Sequence, residues 1–264
     1  MCTSQRSPDL RLGAALPVGV LGGGPLTGEA VAANAALLEQ LGYRSIWVFD
    51  AVGRGFILPD PLMALSVAAT VTAEVELGTG VLQLPIRNTA ELAHRILTLH
   101  LLAGSRLLLG VGPGSTEADF TTFGADYGQR FARFDEQLGQ LRRWLETGSF
   151  AGASLSPWPV VAGGPPIYLA GWRGPWVERA ATEAPGWIAS GAHADDVALA
   201  DGIGRFREAG GARAIVTNVQ VGEDTDVVID RLHHLAELGF DDAVLFDLTP
   251  TEDRLADVIT RYRG

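Results

Sequence analysis

The strongest constraint on the fold is a regular alternation of short apolar, strand-like runs with helical patterns along the whole chain. Eight strand–helix units fit within the 264 residues. A helix that follows a strand carries the chain back to the starting edge of the sheet, so successive strands run parallel. Eight such units favour a closed (β/α)8 TIM barrel in a single domain over residues 1–264, and an open doubly wound sheet is the alternative.

The unit boundaries follow from apolar runs and from helix-capping residues. Thr27, Asn88 or Thr89, and Asp224 are expected to cap helices, and Pro61 and Pro175 to open them. The segment 249–252 has the form of a capping box, with its proline at the first helical position. The predicted strands cover 10–16, 45–50, 75–84, 106–112, 166–171, 186–190, 214–221 and 242–248.

Two segments interrupt the alternation and are interpreted as insertions into the barrel. Residues 113–129, after the fourth strand, form an irregular polar excursion, and residues 148–165, before the fifth strand, are rich in Gly, Ser and Pro. Between them lies the best helical periodicity of the chain, with large apolar residues at steps of three and four. These residues are Phe131, Phe134, Leu138, Leu141 and Leu145. Residues 1–9 are polar and are expected to form a flexible tail.

Charge and composition exclude several function classes. The formal net charge is −11, and such an acidic surface repels phosphate backbones and anionic lipids, so neither nucleic acid nor membrane is an expected partner. All 20 basic residues are Arg. Without a lysine amine the chain is not a Schiff-base aldolase, a pyridoxal-phosphate enzyme, a Walker-type P-loop protein or a protein kinase.

Cysteine content and hydropathy predict a cytoplasmic protein. Cys2 is the single cysteine, which excludes disulfides and thiolate zinc sites. The first nine residues lack the apolar core of a signal peptide, and no stretch approaches 18 uninterrupted apolar residues. Paired carboxylates and histidine clusters are also not evident at the strand ends, so no metal site is predicted.

The active site of a TIM barrel lies at the carboxyl ends of its strands, and the end of the fifth strand carries the most suggestive motif. There Gly171 and Gly174 allow close approach to the backbone, Arg173 offers a forked cationic donor, and Pro175 places a helix N-terminus next. Together they form a plausible phosphate seat. A tight turn with a solvated arginine is the alternative. Trp172 would form a wall of a ring pocket.

Other strand ends supply weaker candidates. The glycine-rich end of the fourth strand, residues 110–114, is interpreted either as a close approach to a flat ring or as a mobile turn. Asp50 would accept a hydrogen bond from a heterocyclic N–H or would cap a loop. His193 is the one histidine on the presumed active rim and is the candidate for proton transfer. Trp144 and Trp187 are expected in the core.

The combined pattern resembles the bacterial luciferase-like flavin monooxygenases, a superfamily that includes coenzyme F420-dependent oxidoreductases. The resemblance rests on SIWVFD at 45–50, the run 60–114, FGADYGQRFARFDEQL at 123–138 and PPIYLAGWRGP at 165–175 followed by PGWI. It covers roughly residues 37–190. It implies a TIM barrel that binds FMN or F420 at its C-terminal mouth.

The resemblance also implies roles for individual residues. Gly80 and Val81 stand where the family often has a non-proline cis peptide beneath the flavin ring. The ring would be bordered by Asp50 and by residues 112–114, and the phosphate would be received by residues 171–174. In full, the predicted cofactor-binding residues are Asp50, Gly80, Val81, Gly112, Pro113, Gly114, Gly171, Trp172, Arg173 and Gly174.

Three departures from the family pattern bear on mechanism. Ala51 stands where F420-dependent sugar-phosphate dehydrogenases have a histidine after the second strand. Pro113 occupies a position where some members have an arginine for the phosphate, so Arg173 would have to serve. The insertion 148–165 is trimmed, which predicts a small substrate lid. Only Arg54 and Arg173 are obvious rim cations for the anionic tail of F420, so FMN is the favoured cofactor and F420 the alternative.

The predicted function is a flavin-dependent oxidoreductase or monooxygenase that uses reduced FMN, or F420, on a small organic substrate. Two alternatives are a non-catalytic flavin-binding protein and an F420-dependent hydride-transfer reductase. A further alternative is a barrel for another phosphorylated metabolite. Expected partners are the substrate, a separate flavin reductase and a second copy of the chain, since the helix in residues 61–72 is unusually apolar and the family commonly pairs in this region.

Overall fold

The computed structural model describes residues 10–18, 27–171 and 174–264. The predicted tail 1–9 lies outside these ranges. The strands are β1 Arg11–Ala15, β2 Ser45–Val48, β3 Glu76–Thr79, β4 Leu82–Gln83, β5 Leu107–Gly112, β6 Ser149–Phe150, β7 Ala153–Ser154, β8 Ile167–Ala170, β9 Gly186–Ser190, β10 Arg213–Gln220 and β11 Asp242–Phe246. The helices are α1 Gly28–Leu41, α2 Pro61–Val71, α3 Thr89–Ala103, α4 Glu117–Thr122, α5 Arg130–Thr147, α6 Trp176–Glu183, α7 Asp196–Glu208, α8 Thr225–Leu238 and α9 Glu252–Arg263.

The parallel strands close into a barrel, which confirms the predicted TIM fold. Their order is β3-β2-β1-β11-β10-β9-β8-β5-β4, and an additional pairing of β3 with β5 completes the ring. Strands β3 and β4 share the third barrel position, because both pair with β5. The predicted third strand is therefore interrupted at Gly80 and Val81, and the peptide bond between these two residues is cis, as the resemblance implied.

Local capping explains most helix starts, and the prediction was wrong at one of them. The side chains of Thr27, Asn88 and Asp224 accept hydrogen bonds from first-turn N–H groups, as predicted. The last helix begins later than the capping box at 249–252 implied. Thr251 is the residue that caps it, by accepting a hydrogen bond from the Arg254 N–H, so the predicted proline at the first helical position lies before the helix.

Both predicted insertions are present, but they are more ordered than their composition suggested. Residues 113–129 contain the short helix α4, so this segment is not wholly irregular. Residues 148–165 contain the antiparallel hairpin of β6 and β7 and one turn of 3₁₀ helix. In α5, the four apolar residues from Phe134 onward are buried as predicted, whereas Phe131 is 44% exposed.

The core has two layers, one between the barrel and its helices and one inside the barrel. Trp144 and Trp187 are buried in the outer layer, as predicted. The inner cluster is built around Trp47, Phe49 and Tyr168. Trp47 fits inside because Gly78 has no side chain, since a Cβ there would lie 2.5 Å from the indole. The glycine in mid-strand thus makes room for a ring.

The N-terminal end of the barrel is closed by an ionic network across four strands. Arg213 donates two hydrogen bonds to Asp242, at 2.8 and 2.7 Å, and two to Glu76, at 3.1 and 2.7 Å. Arg11 donates a further hydrogen bond to Glu76 at 2.7 Å. Although burial alone would lower the pKa of Arg213, its hydrogen bonds to the two carboxylates raise that pKa, so the guanidinium stays charged.

Candidate active site

The C-terminal end of the barrel has an apolar floor that is only partly covered. Val81, Ala170, Phe246 and Leu248 pack against the inner core cluster and stay partly exposed. Phe246 meets the ring of Phe49 edge-on, with their centroids 4.9 Å apart. The four floor side chains lie at the ends of β3, β8 and β11, and Phe49 beneath them follows β2. An apolar surface of this kind is suited to a flat aromatic ring.

Glycine at the end of β5 keeps this floor low. A Cβ on Gly112 would lie 2.9 Å from Cγ2 of Val81 and 3.6 Å from Cβ of Ala170. Of the predicted ring-bordering residues, Gly80, Val81 and Gly112 therefore meet at the floor, where a side chain at 112 would project among them. Pro113 and Gly114 follow at the edge. Gly114 has a φ of 82°, and a Cβ there would lie 2.5 Å from Oε1 of Gln83.

Asp50 is buried at the end of the second barrel strand, and both carboxylate oxygens are engaged within the protein. The backbone N–H of Gln83 donates to Oδ2 at 3.0 Å, and Nη2 of Arg87 donates to Oδ1 at 2.7 Å. Gln83 also donates its amide N–H to the main-chain oxygen of Asp50 at 3.0 Å. The carboxylate thus joins the end of the second barrel strand to the segment after the third, which corresponds to the loop-fixing interpretation of this residue.

Asp119 on α4 extends the same network across the mouth. It is completely buried and accepts hydrogen bonds from Arg54 Nε at 2.9 Å and Nη2 at 2.5 Å, and from the side-chain amide of Gln83 at 2.8 Å. Arg54, which the sequence offers as a rim cation for an anionic cofactor tail, is therefore already neutralised. Gln83 lies at a strand end, where the sequence places candidate site residues, but Asp119 was not predicted, because a buried polar residue in an insertion has no distinctive sequence pattern.

Of the predicted phosphate seat, the structure describes the first and last residues, Gly171 and Gly174. Gly171 has a φ of 154°, and a Cβ there would lie 2.7 Å from Cβ of Trp176, the first residue of α6. Gly174 has a φ of 59°, and its main-chain oxygen accepts a hydrogen bond from Arg205 at 2.5 Å. Within the described ranges, no side chain caps the start of α6. Trp172 and Arg173 lie outside the described residues.

On the opposite side, strands β9 and β10 end in small neutral groups. Asn218 has a left-handed φ of 59°, and its amide donates to the hydroxyls of Ser190 and Thr217, each at 3.2 Å. His193 follows β9 in the first turn after the strand, where its backbone N–H donates to the main-chain oxygen of Ser190 at 3.2 Å. The imidazole is exposed, and no hydrogen bond or ion pair within the described ranges fixes it.

Arg130, at the start of α5, is a mouth residue that the sequence interpretation missed. Its guanidinium carbon lies 3.9 Å from the ring centroid of Tyr127 and 4.4 Å from that of Phe131. Tyr127 donates its hydroxyl to the Ser115 carbonyl, and Phe131 stands 6.0 Å from the ring of Trp176. Arg130 thus lies between the segments after β5 and β8. Its Nη1 donates to the main-chain oxygen of Tyr127 at 2.9 Å, and no carboxylate of the described chain neutralises its charge.

The described residues bring no three His, Cys, Asp or Glu side chains together in a way that would hold a metal ion. None of the helices in the same ranges combines the length and apolar character needed to span a bilayer. The arrangement instead fits a flat, phosphorylated ring. The low glycine floor would accept the ring. The start of α6, which no described side chain caps, and the guanidinium of Arg130 offer donors to an anionic group.

Comparison with known proteins agrees with this interpretation. A family profile described as luciferase-like monooxygenase matches residues 11–239. The 4-hydroxyprotoasukamycin monooxygenase of Streptomyces nodosus subsp. asukaensis is 34% identical over 122 residues, which are 46% of this chain and 33% of that protein. The 5,10-methylenetetrahydromethanopterin reductase of Methanolobus tindarius is 31% identical over 180 residues, 64% of this chain and 52% of the relative. The chain thus spans only about a third to a half of these relatives.

Solved structures share the fold over nearly the whole chain. The coenzyme F420-dependent tetrahydromethanopterin reductase of Methanopyrus kandleri superposes with a TM-score of 0.76 at 15% identity, over 96% of this chain and 98% of that one. The oxygenating constituent of 3,6-diketocamphane monooxygenase of Pseudomonas putida, in complex with FMN, superposes with a TM-score of 0.66 at 20% identity, over 84% and 70%. At these identities the likeness establishes the fold.

Proposed function

Because the chain belongs to the luciferase-like monooxygenase family, we propose that it is an oxidoreductase that holds a flavin-type ring at the barrel mouth and acts on a small organic substrate. The observation that carries the proposal is the partly exposed apolar floor of Val81, Ala170, Phe246 and Leu248. Four apolar side chains left open at the catalytic end of a barrel need a ligand to cover them.

When bound, the ring would supply the redox chemistry, and the chain would supply binding, orientation and exclusion of water. The floor supports one face of the ring. Ser190 and Asn218, with hydroxyl and amide groups, would hydrogen-bond the polar edge of the ring or of the substrate. If the floor and the ring face each lose about 100 Å² of water-exposed apolar surface, each surface would contribute roughly 2.5 kcal/mol to binding.

The phosphate of the cofactor would lie at the start of α6, on the backbone of residues 171–174, with Arg173 as predicted and Arg130 as a second cation. FMN remains the favoured cofactor, because its single phosphate matches this one electropositive corner. F420 is the alternative. Its extra carboxylates would need further cations, and Arg54 is neutralised by Asp119.

Separate titrations of the purified protein with FMN and with F420 test the proposal. We expect one of them to bind with a Kd below about 100 μM, which corresponds to roughly 5.5 kcal/mol of binding free energy. The absorption spectrum and mass of any copurifying small molecule would identify the cofactor directly. The proposed function is wrong if neither compound binds.

The Arg173→Ala variant tests the phosphate seat. It should weaken FMN binding and leave riboflavin binding nearly unchanged, because riboflavin lacks the phosphate. Equal losses for the two compounds would refute the phosphate role of Arg173. The comparison of two ligands with the same ring separates phosphate binding from damage to the floor.

A non-catalytic flavin-binding protein is the second candidate, and one observation favours it. The buried carboxylates of Asp50 and Asp119 are both held by arginines, and the exposed His193 is not fixed by a partner in the described part of the mouth. No group there is poised as a general acid or base. Flavin binding without turnover of reduced flavin and O₂ across a substrate panel would support this candidate.

We also propose two partners that the family resemblance implies. An oxygenase of this type would receive reduced flavin from a separate reductase. Pairing with a second copy would use α2, where Met63 is 68% and Val71 41% exposed. Sedimentation showing a monomer at micromolar concentration would contradict pairing.

A further inference from the structure

The loop after the second barrel strand, residues 51–58 and called the rim loop below, begins and ends inside the barrel mouth. Ala51 and Leu58 are both buried members of the inner core cluster. The tip between them is open to solvent, with Phe56 54% and Ile57 85% exposed. Two large apolar side chains therefore stand side by side at the edge of the same apolar surface that forms the floor.

Asp119 fastens this loop to the insertion that follows β5. Besides its three hydrogen bonds from Arg54, it accepts one at Oδ1 from the backbone N–H of Val52 at 3.3 Å. The side-chain amide of Gln83 donates to its Oδ2 at 2.8 Å. A fully buried carboxylate with donors from the rim loop and from a strand end fixes the loop relative to the barrel.

The backbone of the rim loop also lies directly on α4. A Cβ on Gly53 would be 2.1 Å from Oγ1 of Thr122 and 2.8 Å from the carbonyl oxygen of Ala118. Gly55 has the same φ of 82°, but a Cβ there would meet nothing within 4 Å. The loop thus contacts α4 at Gly53 and is free of it two residues later, where the tip begins.

We infer that Asp119 is a positioning residue that fastens the rim loop through Arg54, so that Phe56 and Ile57 contact an apolar, uncharged portion of the organic substrate. This inference rests on the proposed function, because it assigns the substrate class of the same site. Asp119 acts through the loop and does not itself touch the reacting atoms.

Charge and continuity argue for an apolar substrate. Arg54 is the only charged residue of the rim loop, and Asp119 neutralises it, so the loop offers no free charge to a ligand. Leu58 connects the tip to the floor, since it packs in the same cluster as Val81 and Ala170. A substrate that lies on the floor and extends outward on this side would meet Phe56 and Ile57.

The paired variants Gly53→Ala and Gly55→Ala test the docking of the loop. Both add a methyl group at a positive φ, but only the first collides with α4. The readout is the rate of limited trypsin cleavage after Arg54 in the protein without cofactor. We expect cleavage to be about tenfold faster in Gly53→Ala than in Gly55→Ala. Equal rates in the two variants would overturn the docking of the loop on α4.

Asp119→Asn and Arg54→Lys test the fastening itself, with trypsin cleavage after residue 54 as the readout in both. The amide keeps the size of the carboxylate and loses its charge, so we expect cleavage about tenfold faster than in the wild type. Lysine keeps the charge and loses the forked donor, so an intermediate rate is expected. A folded Asp119→Asn that is cleaved at the wild-type rate would contradict the role of Asp119. If that variant does not fold, the cleavage rate of Gly53→Ala tests whether the loop is fastened.

The substrate class is tested with hexanol, octanol and decanol as probes, by displacement of a bound anilinonaphthalene sulfonate dye. In the wild type we expect affinity to rise about fourfold per added methylene as the chain reaches the tip. The double variant Phe56→Ser, Ile57→Ser should flatten this dependence. Val160→Ser, which changes a 74% exposed residue before β8, should leave it unchanged.

A double variant that keeps the full chain-length dependence would overturn the substrate assignment. The assignment would also be overturned if the wild type sediments as a dimer and the double variant as a monomer, because a second copy would then cover the tip. The loop and alcohol measurements are made without FMN or F420. Failure of both cofactors to bind therefore defeats the proposed function and leaves the rim-loop result standing as a separate outcome.

Discussion

The two ends of the barrel use the same residue types in different ways. At the N-terminal end, Arg213 and Arg11 bind Glu76 and Asp242 in one network that crosses the barrel. At the C-terminal end, arginines and buried carboxylates also pair on the side of the second, third and fourth barrel strands, around Asp50 and Asp119. On the far side, the last residues of β8, β9, β10 and β11 are apolar or neutral.

The difference shows how one fold closes one end of the barrel and leaves the other end accessible to a ligand. A network that spans the barrel fills its centre and leaves no room for a ligand. A network confined to one side fixes the loops there and leaves the remaining strand ends open. We therefore expect substitutions at the N-terminal end to change stability and those at the C-terminal end to change binding.

Breaking the closed end should have the largest effect. Arg213→Met would leave Asp242, with a side chain 1% exposed, without its two hydrogen bonds and Glu76 with Arg11 alone. Removing one partner of such a buried network costs about 3–5 kcal/mol of unfolding free energy. Urea denaturation would measure the loss, and FMN affinity of the folded variant should stay near that of the wild type.

Arg231→Met is the matched control, because Arg231 pairs with Asp196 on the surface. An exposed pair contributes about 0–1 kcal/mol. A small loss in Arg213→Met, similar to that of the control, would show that the network does not close the barrel end. A large drop in FMN affinity of the folded protein would show that the two ends are not independent.

At the open end, Arg130→Gln should weaken FMN binding by about tenfold to a hundredfold, the equivalent of roughly 1.5–3 kcal/mol for a charge-assisted hydrogen bond. Riboflavin binding should be nearly unaffected. Fluorescence titration of both compounds measures the two affinities.

Arg143→Gln provides the control for Arg130. Arg143 lies on the same helix and also stacks on an aromatic ring, with its guanidinium carbon 5.7 Å from the centroid of Phe150. It stands at the other end of α5, about 20 Å away at the helical rise. Equal effects of the two substitutions on FMN would remove Arg130 from the binding site.

Gly112→Ala tests whether the ring lies on the floor. The added Cβ would stand 2.9 Å from Val81 and raise the surface on which the ring lies. We expect FMN and riboflavin to lose affinity equally, by about tenfold, or roughly 1.4 kcal/mol. Gly204→Ala, at an open position of α7, should leave both affinities unchanged. A loss confined to FMN would place the phosphate, and not the ring, beside Gly112.

The barrel and most of its boundaries could be predicted from sequence, because they depend on local patterns. Thr27, Asn88 and Asp224 each satisfy first-turn N–H groups within three residues, so a short motif contains the whole interaction. Thr249 was misassigned because two threonines flank Pro250, and each resembles a cap in isolation. In the structure the helix begins after the second threonine, Thr251.

The site was less predictable, because its key contacts join distant segments. Asp119 meets Arg54 across 65 positions and Gln83 across 36. Arg130 lies near the start of α6 through the contact of Phe131 with Trp176, which no local pattern reveals. Glycines at 80, 112 and 171 could be named as candidates from sequence, because glycine marks positions where the backbone needs room or an unusual conformation.

The smallest expected effect on stability is that of a substitution at the outer edge of the N-terminal end of the barrel. There Glu39, near the C-terminus of α1, accepts hydrogen bonds from the backbone N–H groups of Ala73, Glu74 and Val75 at 2.7–3.0 Å. Partial burial alone would raise the pKa of Glu39, but these donors lower it below the ordinary value of 4.5. Because the folded-state pKa is the lower one, the stabilisation is present at neutral pH and is lost as pH falls through that pKa.

Glu39→Gln should therefore destabilise the protein by about 1 kcal/mol at pH 7, a value reduced by solvent screening, and by less as the pH falls below the ordinary carboxyl pKa. Urea unfolding of the wild type and the variant at several pH values measures the difference. Glu237→Gln is the control, because Glu237 is exposed near the C-terminus of α8. A difference for Glu39→Gln that does not shrink on acidification would mean that packing of the side chain, and not its charge, supports the turn before β3.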